Sequence, residues 1–263
     1  MRTLFAALTA GVLVGAVFTG TADASPSGSV PSGPGALTRN PVYKTGKFLS
    51  QTCEEPDLRV GDVETLQTYA DDVSACLNRA WSAQLKRAGI PFRTPKVAVG
   101  YGEAVRTACG VYRPAEVFGL YCHRNRTVYL LTTEYGMADV IQSSQMLESL
   151  SIAYAYHVQN LIGVLAEGDR VVRKSSRSAV LAMNSKTALQ NICFTGAFVG
   201  SVWESLENRK ARGVESFLNE HTMEGDTPGL GRNKNRLYWL RRGFEARSPA
   251  VCNTFTAPRT KVA

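Results

Sequence analysis

Six cysteines, Cys53, Cys76, Cys109, Cys122, Cys193 and Cys252, limit what this chain can fold into more tightly than any other feature. They stand far apart and no two form a C-x-x-C pair, so a zinc knuckle is a poor reading of them. Whether they are thiols or bridges depends on the compartment. Arg2 precedes an apolar run from Leu4 to Phe18, and Ala22-Asp23-Ala24 is a small-x-small cleavage pattern. This is the layout of an export leader cut between Ala24 and Ser25. A retained membrane anchor is the rival reading, but the run is short and broken by Gly11, Gly15 and Gly20. No later segment is long and apolar enough to span a bilayer. An even cysteine count in an exported chain favours disulfides, although six admit many pairings. The expected location is secreted or extracellular, with association to the cell wall as a further option.

The net charge of +8 suits attraction to anionic wall polymers or headgroups, or simply solubility. The cations are dispersed apart from Arg232, Lys234, Arg236, Arg241 and Arg242, and no nucleic-acid motif surrounds that cluster. Composition divides the chain into a leader (1–24), a Ser/Pro/Gly-rich flexible linker (25–39), one domain (40–256) and a tail (257–263).

Within the domain, Asp62 to Ala88 is the clearest helix. Val63, Leu66, Tyr69, Val73, Cys76, Leu77, Ala80, Trp81 and Leu85 form one apolar stripe, with Asp62 to cap it and Gly89 to close it. Lys96 to Gly100 reads as a short strand and Phe118 to Leu131 as a hairpin turning at His123 to Arg126. A Cys109–Cys122 bridge would staple the entry of that hairpin. Further helices are expected over Asp139–Leu165, Lys186–Glu207 and Asn235–Phe244. Gly196-x-x-x-Gly200 would let a neighbouring backbone come close. The result is an α+β fold, mainly helical, with a small sheet.

From Asn40 to Phe255 the sequence resembles the bacterial neutral zinc metallopeptidases in their exported actinobacterial form. The matching pieces are Asn40-Pro41-Val42-Tyr43-Lys44-Thr45-Gly46, Ala108-Cys109-Gly110, Tyr121-Cys122 with Thr127-Val128-Tyr129-Leu130, and His157-Val158-Gln159-Asn160-Leu161-Ile162-Gly163. Leu189-Gln190, Cys193-Phe194, Gly196, Arg236, Trp239, Arg242, Gly243 and Phe244 complete them. The resemblance implies a zincin-like domain, stapled by disulfides. In that family H-E-x-x-H directly precedes H-V-Q-N on one helix. Two His at i and i+4 share a helix face and grip a zinc, and the Glu between them takes a proton from zinc-bound water. A third ligand, the Glu of E-L-Q-A-D-C on a later helix, leaves one position open.

Aligned on His157 and on Leu189-Gln190, the two His positions fall on Ile152 and Tyr156, the general base on Ala153 and the third ligand on Ala188. The family's Asp position falls on Ile192, and its downstream His-Gly on Leu230-Gly231. The expectation is therefore no catalytic residue, no metal ligand and no cofactor, where the family would carry zinc. A binding or scaffold role follows, for an unknown partner that could be a peptide or a wall fragment. The alternative is an active hydrolase with a rebuilt metal site, assembled for example from His157, Glu148 and a distant residue. His157, which has Ala153 and Leu161 at i−4 and i+4, is expected to pack or to bond a backbone carbonyl. Of the pairings, Cys109–Cys122 is favoured first and Cys53–Cys76 second, which leaves Cys193–Cys252.

Overall fold

A computed structural model describes residues 29–114, 118–140, 145–220 and 225–263. The leader and its Ala24–Ser25 junction lie outside the described residues. The elements in chain order are α1 (Pro34–Thr38), α2 (Val63–Arg87), β1 (Lys96–Tyr101), β2 (Val105–Thr107), β3 (Gly110–Tyr112), β4 (Phe118–Cys122) and β5 (Thr127–Thr132). They continue as α3 (Glu134–Val140), α4 (Gln145–Leu161), α5 (Val164–Val172), α6 (Arg177–Val202), α7 (Glu207–Arg212), α8 (Val214–Glu220) and α9 (Asn233–Ala246). Helices dominate and the sheets are small, so the fold is α+β.

The long helix α2 forms where its apolar stripe lies. Asp62 accepts hydrogen bonds from the Glu64 and Thr65 amides, and Gly89 follows the last turn at φ +66°. Its buried face carries Leu66, Val73, Leu77, Trp81 and Leu85. Trp81 lies edge-on to both Phe48 and Phe194, at 4.9 and 5.1 Å, and so joins α2 to α6. The three-stranded sheet runs β1-β5-β4, with β4 antiparallel to β5 and β1 parallel to it. The strands β2 and β3 pair separately. Helix α4 lies at the centre, against α2, β4, β5, α5 and α6.

Three bridges tie these pieces together. Cys53–Cys76 anchors the segment before α2, Cys109–Cys122 joins the β2–β3 turn to the end of β4, and Cys193–Cys252 fixes α6 to the C-terminal segment. Among the described residues no helix is long and apolar enough to cross a membrane.

Several expected boundaries move. The helix read over Asp139–Leu165 is broken: α3 contains Asp139, residues 141–144 are not described, and α4 stops at Leu161. Gly163, at φ +78°, turns the chain into the separate α5, and a Cβ there would overlap the Pro31 carbonyl. The helix expected from Lys186 begins about two and a half turns earlier, at Arg177, where Ser176 caps it through the Ala179 amide, and it yields to a 3-10 turn at Trp203. The presumed linker is ordered in part, because α1 buries Ala36 and Leu37. The tail is packed as well: Val262 is buried, and the Trp239 indole donates to Lys261 O at 2.8 Å.

Gly196 and Gly200 on α6 and Gly243 on α9 bring those helices into backbone contact. A Cβ at Gly196 or Gly200 would overlap the Leu240 or Phe244 carbonyl, and one at Gly243 would overlap the Cys193 carbonyl.

Candidate functional site

Helix α4 carries two kinds of position. One set is buried, polar and bonded to other parts of the chain. His157 is fully buried, with Nε2 2.7 Å from Arg93 O and Nδ1 3.2 Å from the Tyr121 hydroxyl. With Nε2–H donating to that carbonyl, Nδ1 is the acceptor and Tyr121 donates to it, while the Tyr121 oxygen accepts from Asn160 at 3.1 Å. Burial chiefly holds the imidazole down at about 4, helped by the nearby Arg126 cation and partly opposed by the Arg93 bond. His157 is therefore neutral and fully engaged, a structural residue.

Gln159 extends the network. Its amide donates to Thr187 O and to Gln190 Oε1, both at 2.9 Å, and Gln190 donates to the Tyr43 hydroxyl at 2.6 Å and to Cys252 O. Asn40 donates to Ala36 O and Ile162 O, each at 2.8 Å. Burial pushes the Tyr43 phenol well above its usual range.

Along another strip of α4 lies a pocket of about 510 Å³ between β4, α4, α6 and the loop before α9. Ile152 and Tyr156, one turn apart on α4, face it together with Ala188 and Ile192 on α6 and Leu230 on the loop. Phe118, Gly119, Leu120 and Tyr121 of β4 form the opposite wall, and Ser149, Asn191 and Arg236 also line it. Phe118 is 43% exposed at the rim. Burial raises the Tyr156 phenol. Arg236 is almost wholly buried and holds the loop in place by donating to Gly231 O at 2.6 Å and Gly225 O at 2.7 Å. Desolvation pulls its guanidinium below the usual arginine range, and the Asp226 charge works against that.

Of the four positions singled out in the sequence, the pocket thus brings together Ile152, Tyr156 and Ala188. Ala153 is fully buried but does not line it. It faces β4, which approaches so closely that a Cβ on Gly119 would overlap Ser149 O and sit 3.2 Å from the Ala153 Cβ. Ile192 and Leu230, the positions read for the family's Asp and downstream His, do line the pocket. The polar lining residues that sequence reasoning passed over are Ser149 and Asn191. Asn191 is 1% exposed, and its Nδ2 donates to Ile152 O at 3.0 Å. The signal was an amide in the middle of an apolar helix.

These walls do not fit a zinc ion, since isoleucine, alanine and leucine offer no donor atom. Among the described residues no three His, Cys, Asp or Glu side chains come close enough to share a metal. Glu148 is buried one turn before Ile152 but belongs to no such trio. His123 is exposed in the β4–β5 turn, and His221 lies outside the described residues. A larger cleft of about 760 Å³ opens between the first half of α6 and the C-terminal segment, but none of the four positions reaches it.

Comparison with known proteins gives the chain a lineage. It is 24% identical over 229 residues to the uncharacterized protein YpfJ of Escherichia coli strain K12, covering 80% of this chain and 78% of that protein. It is 26% identical over 185 residues to the uncharacterized protein Rv2575 of Mycobacterium tuberculosis strain H37Rv, covering 58% of this chain and 60% of that one. No solved structure matches it. The sequence profile of the neutral zinc metallopeptidases matches residues 49–255, most of the chain, and the chain belongs to that family.

Proposed function

We propose that this chain is an exported, non-catalytic member of its family that uses the former reaction cleft to bind rather than to cleave. The observation that carries this reading is the pocket itself. Ile152, Tyr156, Ala188, Ile192 and Leu230, assigned separately by alignment, face one apolar cavity without a set of metal donors. A helix relieved of zinc is expected to exchange ligands for hydrocarbon, because unpaired polar groups are costly in a buried site. Export is supported by the leader pattern and by three disulfides, which persist in oxidising compartments. Three protein ligands are the usual minimum for catalytic zinc, and the residues at the pocket supply none of the usual kind.

The test is elemental analysis of the purified protein together with a peptidase assay. The expected result is far less than one zinc per chain and no hydrolysis that a chelator abolishes. One tightly held zinc per chain, with chelator-sensitive cleavage, would overturn the reading in favour of a rebuilt metal site.

A further inference from the structure

We propose that the end of the three-stranded sheet where β1 and β5 begin is a docking surface for a linear phosphate polymer, gripped by Arg93, Lys96, Arg124 and Arg126. None of the four lines the pocket, and the inference does not depend on the non-catalytic reading.

The first observation is convergence. These cations are scattered in the sequence, but Lys96 opens β1 opposite Thr127 of β5, and its amide donates to Arg126 O at 3.0 Å. Arg93 O and the Tyr121 hydroxyl hold the two nitrogens of His157, which sets the chain before β1 beside the end of β4. Arg124 and Arg126 stand in the turn that follows β4, and the Arg126 charge acts on both His157 and Tyr121. All four residues are exposed. The second observation is unbalanced charge. No Asp or Glu occurs between Asp72 and Glu103, or between Glu116 and Glu134. Among the described residues none of the four cations forms a salt bridge. Like charges gathered without acids repel, and an anionic ligand relieves that repulsion.

The third observation is a backbone cost. Arg126 sits at φ +55°, a conformation that glycine adopts freely and an L side chain only at a cost. The turn does not need this side chain. Asn125 shapes it from within, accepting from the Thr127 amide at 3.2 Å and donating to the Tyr129 hydroxyl at 3.0 Å. A costly arginine that braces nothing inside the turn is explained by what it meets outside. The chemistry of these groups selects the partner. Three of the four are arginines, whose planar forks pair with phosphate. Among the described residues the exposed large apolar and aromatic side chains all lie outside 93–96 and 123–126. Neither insertion into a bilayer nor stacking on bases has a foothold there. Several cations side by side suit the repeated phosphates of one chain better than a single anion.

The probe is long-chain inorganic polyphosphate, titrated into the purified chain in a calorimeter at several salt concentrations. The expected result is binding that weakens steeply with salt, with orthophosphate far weaker. The double variant Arg124→Gln, Arg126→Gly should bind about tenfold less tightly. The double variant Lys234→Gln, Arg259→Gln removes the same charge elsewhere on the surface and should bind nearly as the unaltered chain does. Arg126→Gly alone should weaken binding and leave the melting temperature the same or higher. If the first double variant does not fold, Arg93→Gln with Lys96→Gln carries the same comparison. Equal losses in the two double variants would reduce the effect to net charge and overturn the proposal. No binding of polyphosphate, or a lower melting temperature for Arg126→Gly, would overturn it as well. Binding to phosphatidylglycerol vesicles without binding to polyphosphate would assign the surface to a membrane instead.

Discussion

Two sets of positions on α4 have opposite chemistry. His157, Gln159 and Asn160, spread around the helix, reach into hydrogen bonds with Arg93, Tyr121, Thr187 and Gln190. Ile152 and Tyr156, one turn apart, face an apolar pocket. Asn40, Tyr43, His157, Gln159 and Gln190, which carry the family resemblance, belong to the bonded network. Of the positions that depart from it, Ile152, Tyr156, Ala188, Ile192 and Leu230 line the pocket, and Ala153 does not. The difference teaches that a scaffold and a reaction can separate on one helix. Polar groups that hold elements together have partners within the chain, whereas zinc ligands need only the metal and become a cost without it.

If that contrast is right, substitutions on the network side should cost far more than those on the pocket side. The largest effect is expected from removing Cys193–Cys252, which encloses a separation of 59 residues and fixes the segment whose Cys252 carbonyl accepts from Gln190. The double change to Ala should cost about 4 kcal/mol in urea unfolding. A loss comparable with that of a surface substitution would show that the C-terminal segment is not part of the scaffold.

The next effect is one of pH. His157 is held neutral in the fold, so protons bind the unfolded chain first as pH falls. Its contribution is fully present above about 6.5 and is lost as the pH falls towards about 4, by about 3 kcal/mol. Thermal melts across that window should show the decline, and His157→Gln should flatten its slope. An unchanged slope would place the acid sensitivity elsewhere.

A smaller effect is expected for Gln190→Leu, at about 2 kcal/mol, because it removes one of the two bonds made by the Gln159 amide, the donor to the Tyr43 oxygen and the donor to Cys252 O. Chemical denaturation would measure it, and a neutral outcome would mean that the network is ornamental. Ile152→Val, on the pocket side, removes one methylene beside an existing space and should cost about 1 kcal/mol or less. A larger loss would mean that the pocket wall is structural, and the contrast between the two sides would then disappear.

The legibility of these features in the sequence follows the range of the forces involved. Helix α2 and the β4–β5 hairpin were readable because stripe, caps and turn act over neighbouring residues. The parallel pairing of β1 with β5 was not, since it joins segments brought together only by the folded core. The ends of α4 and α6 were misplaced for different reasons. At Gly163 the turn depends on a close approach by the Pro31 carbonyl, and the first turns of α6 are mostly exposed and show no apolar stripe. Alignment placed Ile152, Tyr156 and Ala188, which line the pocket, but could not tell that Ala153 turns towards Gly119. Asn191 was missed because only the fold shows that its amide reaches across from α6 to Ile152 O on α4.

The three glycines between α6 and α9 have a consequence for motion. With no side chain to act as a spacer, these helices cannot part slightly and keep their contacts, so their amides should exchange with solvent only when the whole domain opens. Ala188 and Asn191 belong to the same α6, so that part of the pocket wall moves with the slowest unit of the molecule. A guest would then meet a preformed surface and lose little freedom in shaping it. Selection would come from fit to a fixed wall more than from remodelling of that wall.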